Sequence, residues 1–179
     1  EVLEEIGKQL EPPLDNLVPF GYMFIYTEIG DVEKAREAMV GAEKLIKGFG
    51  QESLMANVYY IEGRLGEITR DYESAIKSYN MYKQIIPTGY TINKNIARCY
   101  RHLKEYDKAE YNISIALKHH PYGPQINYEA ALLYLDQGKI EKGIQYLEKS
   151  LSVWEEANPV YKDAAEARET YAEIQASLD

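Results

Sequence analysis

A single cysteine, Cys99, among 179 residues leaves no partner for an internal disulfide and does not mark a redox compartment. No apolar run approaches the roughly 18 residues that a membrane-spanning helix needs. Basic residues are also in deficit. Lys and Arg number 20 against 29 Asp and Glu, for a formal charge of −9, which argues against a general binder of nucleic-acid phosphates. Seven prolines are too few for an extended linker, and the 45% apolar, 27% charged composition is that of a folded chain. The chain opens on Glu1 rather than Met, which points to a piece of a longer protein. The compartment therefore stays open, with the cytoplasm as the default.

What the chain does have is a period. Residues 90–121 read as two short amphipathic helices, the first carrying Ile96, Ala97 and Tyr100, the second Tyr106, Ala109, Ile113, Ala116 and Leu117, with Pro121 as the stop. Thirty-four residues earlier Gly63, Tyr72, Ala75, Tyr79, Tyr82 and Pro87 fall on matching positions. Thirty-four residues later Ala131, Tyr134, Gly138, Gly143, Leu147 and Ser150 do the same. Such a repeat of paired helices marks a stacked array in which each unit buries its apolar face against its neighbours. Helices are expected at about 54–68, 71–85, 90–103, 105–119, 124–137 and 139–155.

An earlier pair runs from an N-cap at Asn16 through Tyr26, Ala35, Met39 and Ala42, turning at Gly30-Asp31. Its spacing to the next pair is 40 rather than 34, and the surplus around Gly48 and Gly50 reads as a longer loop over 48–53. Residues 1–15 carry Val2, Leu3, Ile6 and Leu10 at helical spacing before Pro12-Pro13, a remnant helix. Residues 158–179 form a closing helix, with Tyr161, Ala164, Ala165, Arg168, Tyr171 and Ile174 on one face.

The small residue early in the first helix, Tyr three places on, the aromatic and then small residue in the second helix and the closing Pro resemble the tetratricopeptide repeat (TPR) family. The resemblance covers residues 16–157 as four repeats, 16–55, 56–89, 90–123 and 124–157. It implies an all-α, right-handed α–α superhelix with a C-terminal capping helix. It further implies a non-enzymatic scaffold that binds a peptide or protein segment in a concave groove. In that family the fifth and ninth positions of the first helix line the groove. The matching residues are Phe20 and Phe24, Tyr60 and Arg64, Lys94 and Arg98, and Tyr128 and Leu132. Asn95, Arg101 and His102 would thicken the basic centre. Such a strip suits an acidic or carboxylate-ended peptide, with Arg64 and Arg98 as forked donors and Tyr60 and Tyr128 as contact area. The carboxylate clamp of chaperone-binding relatives does not fit, because Arg98 stands where Asn is expected and Glu129 would repel a carboxylate.

No catalytic or cofactor set emerges. Cys99-x-x-His102 with His119-His120 has metal-ligand residue types, but positions matching Cys99 are Ile25, Leu65 and Leu133, so a buried core thiol is expected. His119 is read as a half-buried packing residue. GRLGE lies inside a helix and makes no phosphate loop, and no nucleophile has both a base and an orienting group. Asn112-Ile113-Ser114 matches a glycan acceptor but falls mid-helix. Two alternatives to the scaffold stand: a docking region of a larger multidomain enzyme, and a homodimer joined through an exposed Phe20/Phe24 patch.

Overall fold

The repeating signals produce repeating local geometry. In a computed structural model that describes residues 18–158 and 160–178, the described residues form nine α-helices, one short 3₁₀ turn and no strand. The helices are α1 (Val18–Glu28), α2 (Val32–Phe49), α3 (Met55–Thr69), α4 (Tyr72–Ile85), α5 (Ile92–His102), α6 (Tyr106–His119), α7 (Pro124–Asp136), α8 (Ile140–Val153) and α9 (Lys162–Leu178). The remnant helix expected over 1–15 and the Asn16 cap lie outside the described residues.

Each pair turns by the same device. At the end of α1, α3, α5 and α7 one residue adopts a left-handed backbone: Gly30, Arg70, Lys104 and Gly138, with φ of 79°, 61°, 60° and 73°. The following N–H then reaches back to a carbonyl five residues earlier, as in Asp31→Tyr26, Asp71→Gly66, Glu105→Tyr100 and Lys139→Tyr134, all at 2.8–2.9 Å. This Schellman closure satisfies the orphan carbonyls of the first helix and reverses the chain within two residues. Asp31 and Asp71 then cap the second helix, each carboxylate accepting from a backbone N–H three residues on. Glycine is the natural occupant of the turn, yet Arg70 and Lys104 hold it in the middle repeats.

The chain divides into two compact units, residues 1–88 and 89–179. In the first, α1 packs on α2, α2 on α3, and α3 on α4. Its core is built from Met23, Met39, Ile46, Val58, Ile61 and Leu65. In the second, α5 packs on α6, α6 on α7 and α7 on α8, while α9 closes against α8. Two apolar clusters fill it, one around Ala109, Ile113, Ala130 and Leu133, the other around Ala131, Leu147 and Trp154.

Small residues set how closely paired helices approach. Ala75 and Ala109 are fully buried. A Cβ at Gly63 would lie 2.3–2.7 Å from ring atoms of Tyr79, itself fully buried. Gly63→Ala should therefore overpack α3 against α4 and cost about 1–3 kcal/mol. Urea denaturation reads this as a lower midpoint, and an unchanged midpoint would show that the Tyr79 ring yields freely.

Two expectations are corrected. The surplus at 48–53 is not a longer loop. Helix α2 runs on through Gly48 to Phe49, Gly50 closes it in the left-handed region, and Glu52–Leu54 form the 3₁₀ turn into α3. The 18-residue amphipathic pattern of α2 outweighs the ~1 kcal/mol that one glycine costs a helix. This extension leaves a cavity of about 720 Å³ beside Ile46, Met55, Tyr59, Met81 and Ile85. In α9 the buried face contains Ala164 and Ala167, while Ala165 is exposed. The i, i+3 pair lies under Trp154, a residue the helical pattern of α9 alone does not reveal.

Candidate functional site

Helix α5, INKNIARCYRH, contains no acidic residue. Ile92, Ile96, Ala97 and Cys99 commit one side to the interior, which leaves Lys94, Arg98 and Arg101 at i, i+4 and i+7 along another. Opposite them, α7 carries Glu129, only 2% exposed. Arg98 Nε donates to Glu129 Oε2 at 2.8 Å and Arg101 Nε donates to Oε1 at 2.7 Å. Arg101 also reaches Asp136 through Nη1 at 3.0 Å. One buried carboxylate thus holds two guanidiniums from the neighbouring repeat.

The electrostatics follow from this geometry. Burial alone would push the Glu129 carboxyl up, but the charges of Arg101 and Arg98 and their hydrogen bonds together bring it below the ordinary carboxylate range. Burial likewise pulls Arg101 down, and Glu129 and Asp136 more than restore it, so the guanidinium stays charged. His102 is lowered, first by burial and then by the charge of Arg101. Two carboxylates, Glu129 and Asp136, answer the two arginines, and Lys94 extends the cationic row along the same helix.

The remaining residues of the expected strip fall in different settings. Asn95 is 4% exposed and turns into the interior rather than widening a surface. Tyr128 is half-buried, edge-on to Trp154 with ring centres 6.1 Å apart, and its hydroxyl lies 3.3 Å from Thr170 of α9. In the first unit, Phe20, Phe24 and Tyr60 are all partly buried against the apolar core, so the two phenylalanines are not a freely exposed pair. The Tyr60 ring also lies 6.3 and 6.4 Å from those of Tyr79 and Tyr82. Arg64 Nη2 sits 3.6 Å from Glu28, and its Nε is buried without an acceptor. Lys94, Asn95 and Arg98 share α5, and Tyr128 sits beside Glu129 on α7.

By sequence Glu129 reads as a surface charge that would repel a ligand. It is instead the internal counter-ion of Arg98 and Arg101. The available signal is an acidic residue set directly before Ala130 and Ala131 on a largely apolar helix, with two arginines one repeat back.

The other motifs resolve simply. Cys99 is fully buried and is a core thiol. His119 is exposed, not half-buried, and stacks flat on Tyr90 with centroids 3.5 Å apart. Asn112 is 7% exposed and donates to the Lys108 carbonyl, which leaves no room for a glycan. Among the described residues no three metal-ligating side chains cluster.

Comparison with known proteins accords with this architecture. Residues 124–153, which span α7 and α8, match the family model described as tetratricopeptide repeat. No curated protein matches the chain. Among solved structures, a thermophilic TPR protein of Thermus thermophilus is similar with a TM-score of 0.65 at 21% identity, covering 97% of this chain and 87% of that one. MamA of Desulfovibrio magneticus RS-1, from residue 41 to its end, is similar with a TM-score of 0.57 at 19% identity, covering 88% of this chain and 97% of that one. At these identities the likeness shows the fold.

Proposed function

From a chain with the tetratricopeptide-repeat fold and a matched repeat at 124–153, we infer that its role is protein–protein interaction, and that the α5 face binds an acidic or carboxylate-ended segment. The observation that carries the inference is the helix itself: three cations in register, no acid of its own, and guanidiniums held by Glu129. Lys94 and Arg98 are the contact residues. Asn95 supports the helix from within, and Tyr128 supplies apolar area beside Arg98's partner on α7. In the first unit Phe20, Phe24, Tyr60 and Arg64 hold the same register positions and are the contact residues proposed there. The reading calls for no cofactor.

The test uses fluorescently labelled poly-L-glutamate and anisotropy. Binding is expected to weaken steadily with added salt, since exposed charges are screened beyond a Debye length of about 8–10 Å near physiological ionic strength. A Lys94→Glu, Arg98→Glu variant with intact helicity should bind more than about tenfold more weakly. Salt-indifferent binding would remove the electrostatic part, and equal binding by the variant would move the site off α5.

A further inference from the structure

The four methionines of the chain fall into two settings. Met23 and Met39 are buried in the core of the first unit, whereas Met55 and Met81 are half-buried and line the cavity beside it. That cavity lies where the repeat departs from its period: α2 runs on to Phe49, Gly50 closes it, and Glu52–Leu54 lead into α3. Ile46, Tyr59 and Ile85 complete an apolar wall drawn from α2, α3 and α4. At about 720 Å³ the space is roughly five times an apolar cavity that takes up benzene, and it falls in the ~300–1,000 Å³ range of small-molecule sites. A single side chain from a docking protein would leave most of it unfilled. Methionine is unbranched and flexible, so Met55 and Met81 can re-pack around a guest at little cost.

The charges at the rim are few and unequal. Lys47 lies 3.6 Å from Glu43, one turn back on α2, so its charge is already answered. Glu52 is exposed and forms no ion pair among the described residues. Ser53 and Gln84 are neutral. The rim thus offers one uncompensated carboxylate beside an apolar chamber. We propose that this cavity binds a small amphiphilic amine, its apolar body among Met55, Tyr59, Met81 and Ile85 and its ammonium at Glu52. The body supplies most of the affinity, because burying apolar surface and displacing loosely held water are both favourable. Glu52 sets the sign preference, and its exposure keeps that contribution modest. An anionic molecule of the same shape would bring like charge to Glu52 and bind less well. The preference is opposite to that of α5, and the site lies wholly in the first unit.

The experiment is a methionine ¹³C-methyl NMR titration of the intact 179-residue chain with phenylbutylammonium, phenylbutanol and phenylbutyrate. The three share one apolar body and differ in the charge of the end. The Met55 and Met81 methyl signals should move as ligand is added, while those of Met23 and Met39 stay in place. Phenylbutylammonium should bind about two- to fivefold more tightly than the alcohol, and phenylbutyrate more weakly than either. Glu52→Gln, a change at an exposed position, should bring the three affinities within about twofold of one another. Gln84→Arg sets a cation at the same rim and should weaken the ammonium while leaving the alcohol unchanged. Still Met55 and Met81 signals with all three compounds overturn the proposal, as does an ammonium preference that survives Glu52→Gln. Equal binding of the three by the parent chain, or shifts spread over all four methionines, overturns it as well. None of these outcomes bears on the α5 site, which is read with poly-L-glutamate.

Discussion

Replacing Trp154 with alanine is expected to release α9 and to lower the stability of the second unit by about 3–5 kcal/mol. The single tryptophan is 5% exposed and sits among Ala131, Leu147, Ala164 and Ala167. Tyr128 and Tyr161 contact it edge-on, with ring centres at 6.1 and 5.8 Å. Its backbone carbonyl accepts from Arg168 Nη2 at 2.7 Å, so the same residue anchors α9 through both side chain and main chain. Helix α9 has 17 residues and little apolar surface of its own, and most of a helix's stability in a protein comes from tertiary packing rather than from propensity. Without its docking site it should melt. The measurement is thermal unfolding followed at 222 nm, with a loss of helical signal before the main transition and a midpoint lowered by roughly 6–20 °C. A Trp154→Ala variant with native helicity and native midpoint would show that α9 is held elsewhere.

The buried ion cluster predicts a second large effect, on acid stability. Glu129 has a folded pKa below its unfolded one. It binds fewer protons folded than unfolded in that window, so its stabilisation is complete above the unfolded value of about 4.3. The stabilisation is then lost as pH falls through the depressed folded pKa. Glu129→Ala removes it at every pH and takes away the buried carboxylate to which both Arg98 and Arg101 donate, a loss of about 3–5 kcal/mol at neutral pH. An Arg98→Met, Arg101→Met, Glu129→Leu variant removes the two guanidiniums together with the buried carboxylate between them and leaves the exposed Asp136. It should be near the parent in stability, because desolvating three ions offsets much of what their attraction supplies. Urea midpoints from pH 7 to pH 3 test this. The parent should fall steeply below about pH 4.3, and the apolar triple variant more shallowly. Parallel curves would assign acid sensitivity to other carboxylates, such as Glu110, which the hydrogen bond from Lys139 also holds low.

The repeat is legible because its determinants are local. Small residues at Ala75, Ala109 and Gly143, the turn at Gly30-Asp31 and the stops near Pro87 and Pro121 recur at fixed spacing, and the expected helix ends agree with the observed ones to within about two residues. Arg70 and Lys104 hide the other two turns, because neither is a residue one associates with a left-handed backbone. The extension of α2 escapes a reading by residue type, since two glycines in six residues ordinarily break a helix, and here only Gly50 does. The site is harder to read because its chemistry is set between repeats. Nothing local to Tyr-Glu-Ala in α7 shows that Glu129 points at two arginines about 30 residues back, nor that Asn95 is inside while Lys94 is not. Register alone puts Tyr128 on a binding face, and register does not reveal Trp154 and Thr170 beside it.

The central claim is that acidic segments bind along α5. Its most direct test is a two-dimensional ¹⁵N NMR titration of the intact chain with poly-L-glutamate at low ionic strength. The account predicts amide shifts concentrated from Lys94 to Arg101 on α5 and around Glu129 on α7, fading as salt is added. Shifts confined instead to the residues around the cavity at Ile46, Met55 and Met81, or to the outer face of α9, would contradict it.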